Sequence, residues 1–256
     1  MSEENRKAIR ISVRNLVEFV LRSGDIDNRC SGNAQKDAML AGGRIHRKIQ
    51  KRMGSGYRAE VPLKHEVQDE EQEITLLVEG RADGIFAENG IPVIDEIKGM
   101  YTDISRLEEP IEVHLAQAMC YGYFYCCDKD LDGIRLQMTY CNLETEEIKR
   151  FQTDRSREEL ETWFSGVVHE YFKWARYLYH HELTRDASIG HLEFPFPYRA
   201  GQRDLVVSVY RTVSRKKRLF IQAPTGIGKT LSTVFPAVRA IGEGKGDKLF
   251  YLTAKT

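Results

Sequence analysis

The sequence has no charge imbalance: 38 Lys and Arg residues offset 38 Asp and Glu. No global positive field therefore marks a nucleic-acid binder, and any such contact has to come from local patches. No run approaches 18 consecutive apolar residues, and the charged start MSEENRKAIR lacks the apolar core of a signal peptide. These absences lead us to expect a cytoplasmic protein. Cysteine is sparse, with five residues (Cys30, Cys120, Cys126, Cys127 and Cys141) and no C-x-x-C pair, which speaks against structural zinc or a disulfide framework and for reduced thiols. The 41% hydrophobic content over 256 residues suffices for one large domain or two modest ones.

What is present centres on Val78–Gly99, VEGRADGIFAENGIPVIDEIKG. Asn89-Gly90 between two apolar runs is the strongest short hairpin signal in a sequence. A turn there puts Asp83 directly opposite Glu96, so two carboxylates share one face. Alternation sends Glu96 and Lys98 the same way and Asp95 to the other face. Opposed like charges destabilise a bare hairpin, and a divalent cation would remove the conflict. One reading is therefore a metal site in which Asp83 and Glu96 hold Mg²⁺ or Mn²⁺ and Lys98 sits beside a reacting phosphate. The other is a solvated ladder in which Arg81 and Lys98 neutralise the acids.

Along the chain, Ser12 is expected to cap a helix carrying Val13, Leu16, Val17, Val20 and Leu21, and Asp25–Ala38 reads as a loop. A basic helix from about Gly43 to Met53 carries His46, either as part of a solvated face or as a contributor to the carboxylate site. Strands are expected at Glu60–Val67, Ile74–Phe86 and Pro92–Lys98. In the middle one the even positions Leu76, Val78, Gly80, Ala82 and Phe86 would pack, and the odd positions Glu79, Arg81 and Asp83 would carry the chemistry. A helix from about Ile111 to Tyr125 places Gln117 and Tyr121 on one face. Strands near Ile134–Asn142 and Glu147–Thr153 follow. Ser156 and Glu159 then form a capping box opening a long helix whose stripe, from Leu160 through Trp163, Phe164, Val167, Val168, Tyr171, Trp174 and Ala175 to Leu178, reads as packing.

The apolar periodicity lapses around Leu183–Glu193, which places a domain boundary near residue 187. Beyond it come a helix from Gln202, a strand Leu219–Gln222, the loop Ala223-Pro-Thr-Gly-Ile-Gly-Lys-Thr230, a helix to about Ile241 and a strand Leu249–Leu252. Strand, Gly-rich turn, helix is the setting of a phosphate-binding loop. Gly226 and Gly228 let backbone N–H groups wrap phosphates, Lys229 reaches the β and γ groups, and Thr230 holds Mg²⁺. A small-molecule kinase uses the same loop, but Gln202 upstream and YLTAKT downstream argue against one. No second acidic strand follows within these residues to complete an NTPase site.

Residues 1–187 resemble the RecB-type branch of the PD-(D/E)XK nucleases. The matching elements are His46 on an early helix, Asp83 in GRADG, Glu96-Ile97-Lys98 as E-x-K, and Gln117-x-x-x-Tyr121 as Q-x-x-x-Y. The resemblance implies a restriction-endonuclease-like α/β fold, with a mixed sheet flanked by helices, that cleaves DNA with Mg²⁺ or Mn²⁺. By carry-over, His46, Asp83 and Glu96 bind metal, Lys98 orients water or stabilises charge on phosphorus, and Gln117 and Tyr121 support the site. Some relatives add an iron–sulfur cluster; the cysteine spacing here does not suit one. Residues 188–256 are similar to the start of XPD/DinG-type superfamily 2 DNA helicases, an incomplete RecA-like P-loop domain. Tyr198-Arg199-x-Gly201-Gln202 matches the adenine-reading Q motif, APTGIGKT motif I and YLTAKT motif Ia. That implies ATP held by Arg199, Gln202, Thr225, Gly226, Gly228, Lys229 and Thr230, single-stranded or forked DNA as partner, and a role in DNA repair or processing. An alternative is a nuclease-like domain that has become a DNA-binding module loading the helicase.

Overall fold

The computed structural model describes residues 6–23, 33–69, 71 and 73–253, with 33–39 described as backbone. Cys30 and the last three residues of YLTAKT lie outside them. Contacts divide the chain into two compact units, Met1–Ala175 and Arg176–Thr256.

The first unit is a mixed α/β layer: a six-stranded sheet with helices on both faces. Its strands are β1 (Lys7–Ser12), β2 (Arg58–Gln68), β3 (Ile74–Glu88), β4 (Ile91–Met100), β5 (Gly133–Asn142) and β6 (Ile148–Ser156). They run in the order β1-β3-β4-β5-β6, with β2 also paired to β3. The pairings β1–β3 and β4–β5 are parallel and the others antiparallel. Its helices are α1 (Val13–Val20), α2 (Asn33–Arg52), α3 (Glu112–Lys129) and the part of α4 (Arg157–Gly190) up to Ala175, the rest of α4 belonging to the second unit.

The hairpin forms in the expected register. Asn89 and Gly90 both adopt positive φ, 52° and 83°, the combination of a type I′ turn, and Glu88 faces Ile91 while Gly84 faces Asp95. There the β3–β4 ladder stops, one residue short of Asp83 and Glu96. One edge of β3 carries β2; the other is shared, by β1 over Ile74–Glu79 and by β4 over Gly84–Glu88. Residues 80–83 are left open on that edge. At Asp83 the β2 ladder is interrupted as well: Ala59 pairs with Gly84 and Val61 with Ala82, but Glu60 between them adopts φ 54°.

The alternation also slips at this point. Gly80 lies under the Tyr121 ring of α3, so close that a Cβ would sit 2.5 Å from its hydroxyl. Gly84 instead faces Tyr57, and its partner Asp95 shares a face with Ile97, which packs on Ile45 and Ile49 of α2. An even spacing in a regular strand keeps one face; here it does not. The odd face of β3 is accordingly not one chemical surface. Glu79 pairs with Arg10 at 3.0 Å, Arg81 is exposed, and only Asp83 turns into the gap.

Several further expectations need correction. β1 occupies residues that precede the expected first helix; its apolar residues are too few for a local signal, and its partner lies far along the chain. Helix α2 begins at Asn33, not near Gly43, so the double glycine lies inside it, where the helix passes close to Gly99 of β4. In α4 the capping box forms in both directions, Ser156 N–H to Glu159 Oε2 at 2.8 Å and Glu159 N–H to Ser156 Oγ at 3.1 Å. Of its apolar stripe, Leu160, Phe164, Val167, Val168 and Ala175 are buried, while Trp174 and Leu178 are exposed. The α3–α4 core includes Tyr123, Phe124 and Phe164, with His65 of β2 stacked on Phe124.

The second unit contains α5 (Gln202–Ser214) and α6 (Lys229–Gly242), with Leu205, Val206 and Val209 of α5 and Ala237 and Ala240 of α6 buried. The strands expected at Leu219–Gln222 and Leu249–Leu252 do not form: both segments are irregular, with Phe220 94% and Leu252 90% exposed. An apolar run becomes a strand only with a ladder partner, and no described residue of the unit presents one. No helix among the described residues is long and apolar enough to cross a membrane.

His114 of α3, beside the Tyr140 hydroxyl, has its pKa pushed down to about 4 by burial first and by the Lys98 charge second. Its folded value lies below the ordinary 6.5, so the unfolded chain takes up this proton first. Its contribution is full above pH 6.5 and is lost as pH falls toward about 4. Urea midpoints measured across this range should fall more steeply for the wild type than for His114→Phe; identical slopes would contradict this assignment.

Candidate functional site

The gap between β3 and β4 is filled by side chains from both helical layers. Asp83 has lost its ladder partners, and its carboxylate takes over: Oδ2 accepts from the Ile97 N–H at 2.8 Å. Its carbonyl accepts from Gln50 Nε2 at 2.9 Å, and Gln50 also reaches Glu60 Oε1 at 3.3 Å. His46, one turn before Gln50 on α2, places Nδ1 3.2 Å from Asp83 Oδ1. From the α3 side, Lys98 Nζ donates to Glu96 Oε1 and Gln117 Oε1, both at 2.8 Å. Two acids, an imidazole and a clamped lysine thus line one fork.

Electrostatics follow from burial. Glu96 is 4% exposed, and burial pushes its pKa up to about 7 against the opposing pull of Lys98. For His46 burial works against the charged form, but the bond to Asp83 and the charges of Asp83 and Glu96 outweigh it, and its pKa is raised. Glu96 Oε2 is buried with no hydrogen-bond partner. A buried acceptor left unmade costs about 1–3 kcal/mol, more when charged. Hard carboxylate oxygens suit Mg²⁺ or Mn²⁺, and the orphaned oxygen fits such an ion. As they stand, however, no three His, Cys, Asp or Glu side chains among the described residues are grouped to hold a metal. His46 and Lys98 instead occupy one carboxylate each.

The structure thus brings His46 to Asp83, and Glu96 and Gln117 to Lys98. Tyr121 stands a helical turn from Gln117, with its ring over Gly80 and a backbone hydrogen bond at Arg81; burial, then the charges of Glu96 and Asp83, hold its pKa well above the usual phenol range. Behind the fork lies a buried polar cluster. Asp95 accepts from Thr139 Oγ1 at 2.6 Å, Tyr57 OH at 2.9 Å and Gln137 Nε2 at 3.0 Å. Gln50 and Tyr57 were not among the candidates read from sequence. Gln50 was accessible to the same-face spacing that pairs it with His46; Tyr57 carries no local signal. Beside them opens a cleft of about 220 Å³ lined by Arg47, Gln50, Lys51, Tyr57 and Ala59.

In the second unit the loop residues gather around α6. Gly226 and Gly228 have φ of 89° and 79°, a left-handed backbone that glycine adopts without strain, and α6 starts at Lys229. Lys229 Nζ donates to the Ala223 and Pro224 carbonyls at 3.0 and 2.9 Å. The Arg199 guanidinium donates to the Gly226 carbonyl, and the Arg199 backbone N–H donates to Gln202 Oε1 at 3.0 Å. The buried Gln202 amide lies against Gly228, and Thr230 Oγ1 is 3.4 Å from the Tyr251 hydroxyl. Thr225 is exposed on the turn.

No protein-family model matches the chain. Over 52 residues, 19% of its length, it is 36% identical to a protein named Probable ATP-dependent helicase MJ0942 from Methanocaldococcus jannaschii. The match spans 8% of that protein. Among solved structures, one titled "Crystal structure of SSO0001" aligns over 66% of this chain and 78% of its own, with 17% identity and a TM-score of 0.41.

The Gly80–Tyr121 contact gives a stability test. Gly80→Ala would drive a methyl into the Tyr121 hydroxyl and should destabilise by about 1–3 kcal/mol. Tyr121→Phe, which removes the closest atom, should relieve part of that loss in the double variant. Strict additivity in urea denaturation would show that the two do not meet.

Proposed function

We propose that the chain belongs to an ATP-dependent DNA helicase that carries a metal-dependent nuclease, with the nuclease centre at the β3–β4 fork and the nucleotide loop at residues 223–230. The observation that carries the nuclease half is the convergence of Asp83, Glu96, His46 and Lys98 on one break in the sheet, with an unpartnered Glu96 oxygen inside it. The helicase half rests on the loop and Gln202 and on the local likeness to a probable ATP-dependent helicase. The mixed sheet with helices on both faces accommodates a restriction-endonuclease-like core.

In this reading Asp83, Glu96 and His46 hold Mg²⁺ or Mn²⁺, which when bound supplies Lewis-acid stabilisation of a phosphoryl group. Lys98, held between Glu96 and Gln117, donates to a phosphoryl oxygen or orients the attacking water. Tyr121 and Gln117 support that lysine from α3. Arg47 and Lys51, one turn apart on α2 beside the cleft, contact strand phosphates. In the nucleotide loop, Lys229 exchanges the Ala223 and Pro224 carbonyls for phosphate oxygens, Thr225, Gly226 and Gly228 wrap the phosphates, Thr230 holds Mg²⁺, and Arg199 and Gln202 read adenine.

Two observations favour a second reading, an inactive DNA-binding module that loads the helicase: Lys98 already pairs with Glu96, and no described trio is grouped for metal. Cleavage of end-labelled single- and double-stranded DNA with Mg²⁺, Mn²⁺ or EDTA separates the two. The nuclease reading predicts metal-dependent cutting lost in Glu96→Ala; tight binding without cutting at any metal concentration would replace it with the module. Lys51→Ala should weaken binding uniformly across sequences and reduce the slope of log affinity against log salt by about 0.7 on single strands. An unchanged slope would remove Lys51 from the strand path.

A further inference from the structure

The β3–β4 ladder ends at the pair Gly84–Asp95, and the next residue on each strand is a site acid, Asp83 or Glu96. Whatever fixes that last pair therefore fixes where the strands part. Tyr57, in the connection between α2 and β2, lies across it: its hydroxyl donates to Asp95 Oδ2 at 2.9 Å. Its ring fills the space over Gly84, where a Cβ would come within 1.8 Å of it, and stacks on Phe86 at 5.8 Å and 28°. Asp95 is fully buried and anchored to β5 through Gln137 and Thr139. A chain of contacts thus runs from β5 through Asp95 and Tyr57 to β3.

We propose that Tyr57 is a positioning residue, a staple across the last ladder pair that sets the separation of Asp83 from Glu96 and so the fit of the fork to a divalent cation. The proposal rests on the reading of the fork as a metal site. Its hydroxyl bonds to Asp95, and it acts through that carboxylate and the backbone of Gly84. Glycine at position 84 follows from the same arrangement, since any side chain there would expel the ring. Asp95 likewise gains a reason to face away from the metal site: it presents the polar group that holds the staple.

The test uses the full chain and two readouts that do not depend on catalysis. The first is hydrogen exchange at the Ile97 amide, whose proton is held by Asp83 Oδ2 and reports on the fork without metal. The second is Mn²⁺ binding followed by electron paramagnetic resonance. Tyr57→Phe, which removes only the hydroxyl, should accelerate Ile97 exchange while distant β5–β6 amides keep their rates, and should weaken Mn²⁺ binding about tenfold, the size of an outer-shell effect. Asp95→Asn separates position from charge, because its amide oxygen still accepts from Thr139 and Gln137 and its NH₂ can donate to the Tyr57 oxygen, the staple bond reversing direction, while a buried negative charge is removed. It should leave Ile97 exchange and Mn²⁺ affinity near wild type. A Tyr57→Phe variant with a lower melting temperature but unchanged Ile97 exchange and Mn²⁺ binding would make the residue structural only and overturn the proposal. Equal weakening of Mn²⁺ binding by Asp95→Asn with unaltered exchange would assign the effect to charge and overturn it as well. A wild type that binds no Mn²⁺ would defeat the metal reading, a failure distinguishable because the exchange data on the fork would stand.

Discussion

Asp83 sits in a strand without a ladder partner on either side, and the architecture around it answers that one deficit. A backbone group in a sheet has to be satisfied. Here the Asp83 carbonyl goes to Gln50, and the N–H of Ile97, across the gap, goes to the Asp83 carboxylate. Once a side chain has replaced a ladder bond, the strands are free to part, and the parted strands make room for His46 from one helical layer and Lys98 and Gln117 from the other. The site is thus a consequence of an interrupted hydrogen-bond ladder, held open by β1 and β4 sharing one edge of β3.

The energetic tension of the fork lies in Glu96. It is nearly fully buried, has one oxygen satisfied by Lys98 and one by nothing, and burial raises its pKa against the pull of Lys98. Burying such a group is costly unless it is paired, and here the pairing is half complete. The neighbouring Asp95 shows the contrast. It too is buried, with its pKa raised by burial, but Thr139, Gln137 and Tyr57 all donate to it. Two adjacent carboxylates on opposite faces of one strand are therefore treated differently, one saturated by the fold and one left with free capacity. Free capacity is what a ligand needs.

Much of this was legible in the sequence, for local reasons. The Asn89-Gly90 turn fixes the register through positive φ at two consecutive residues, and that register brings Asp83 and Glu96 to the same level. The Ser156–Glu159 box and the shared face of Gln117 and Tyr121 follow from helical spacing, whereas His46 beside the carboxylates was an expectation of the family resemblance. The rest depended on partners remote in the chain. β1 exists because β3 offers it an edge, and Leu219–Gln222 is irregular because nothing described offers it one. The slip of alternation at Asp83 could not be read either, because period-2 reasoning assumes an unbroken strand. Tyr57 was invisible for the same reason: its meaning depends on Gly84 and Asp95, and neither is near it in sequence.

The fork between Asp83 and Glu96 is the divalent-cation site we propose. The most direct measurement is anomalous scattering from crystals of the chain soaked in Mn²⁺. The account predicts a peak between the Asp83 and Glu96 carboxylates, with Lys98 displaced from its bond to Glu96. A map with no peak in the fork at saturating Mn²⁺, and the Lys98–Glu96 pair intact, would contradict it.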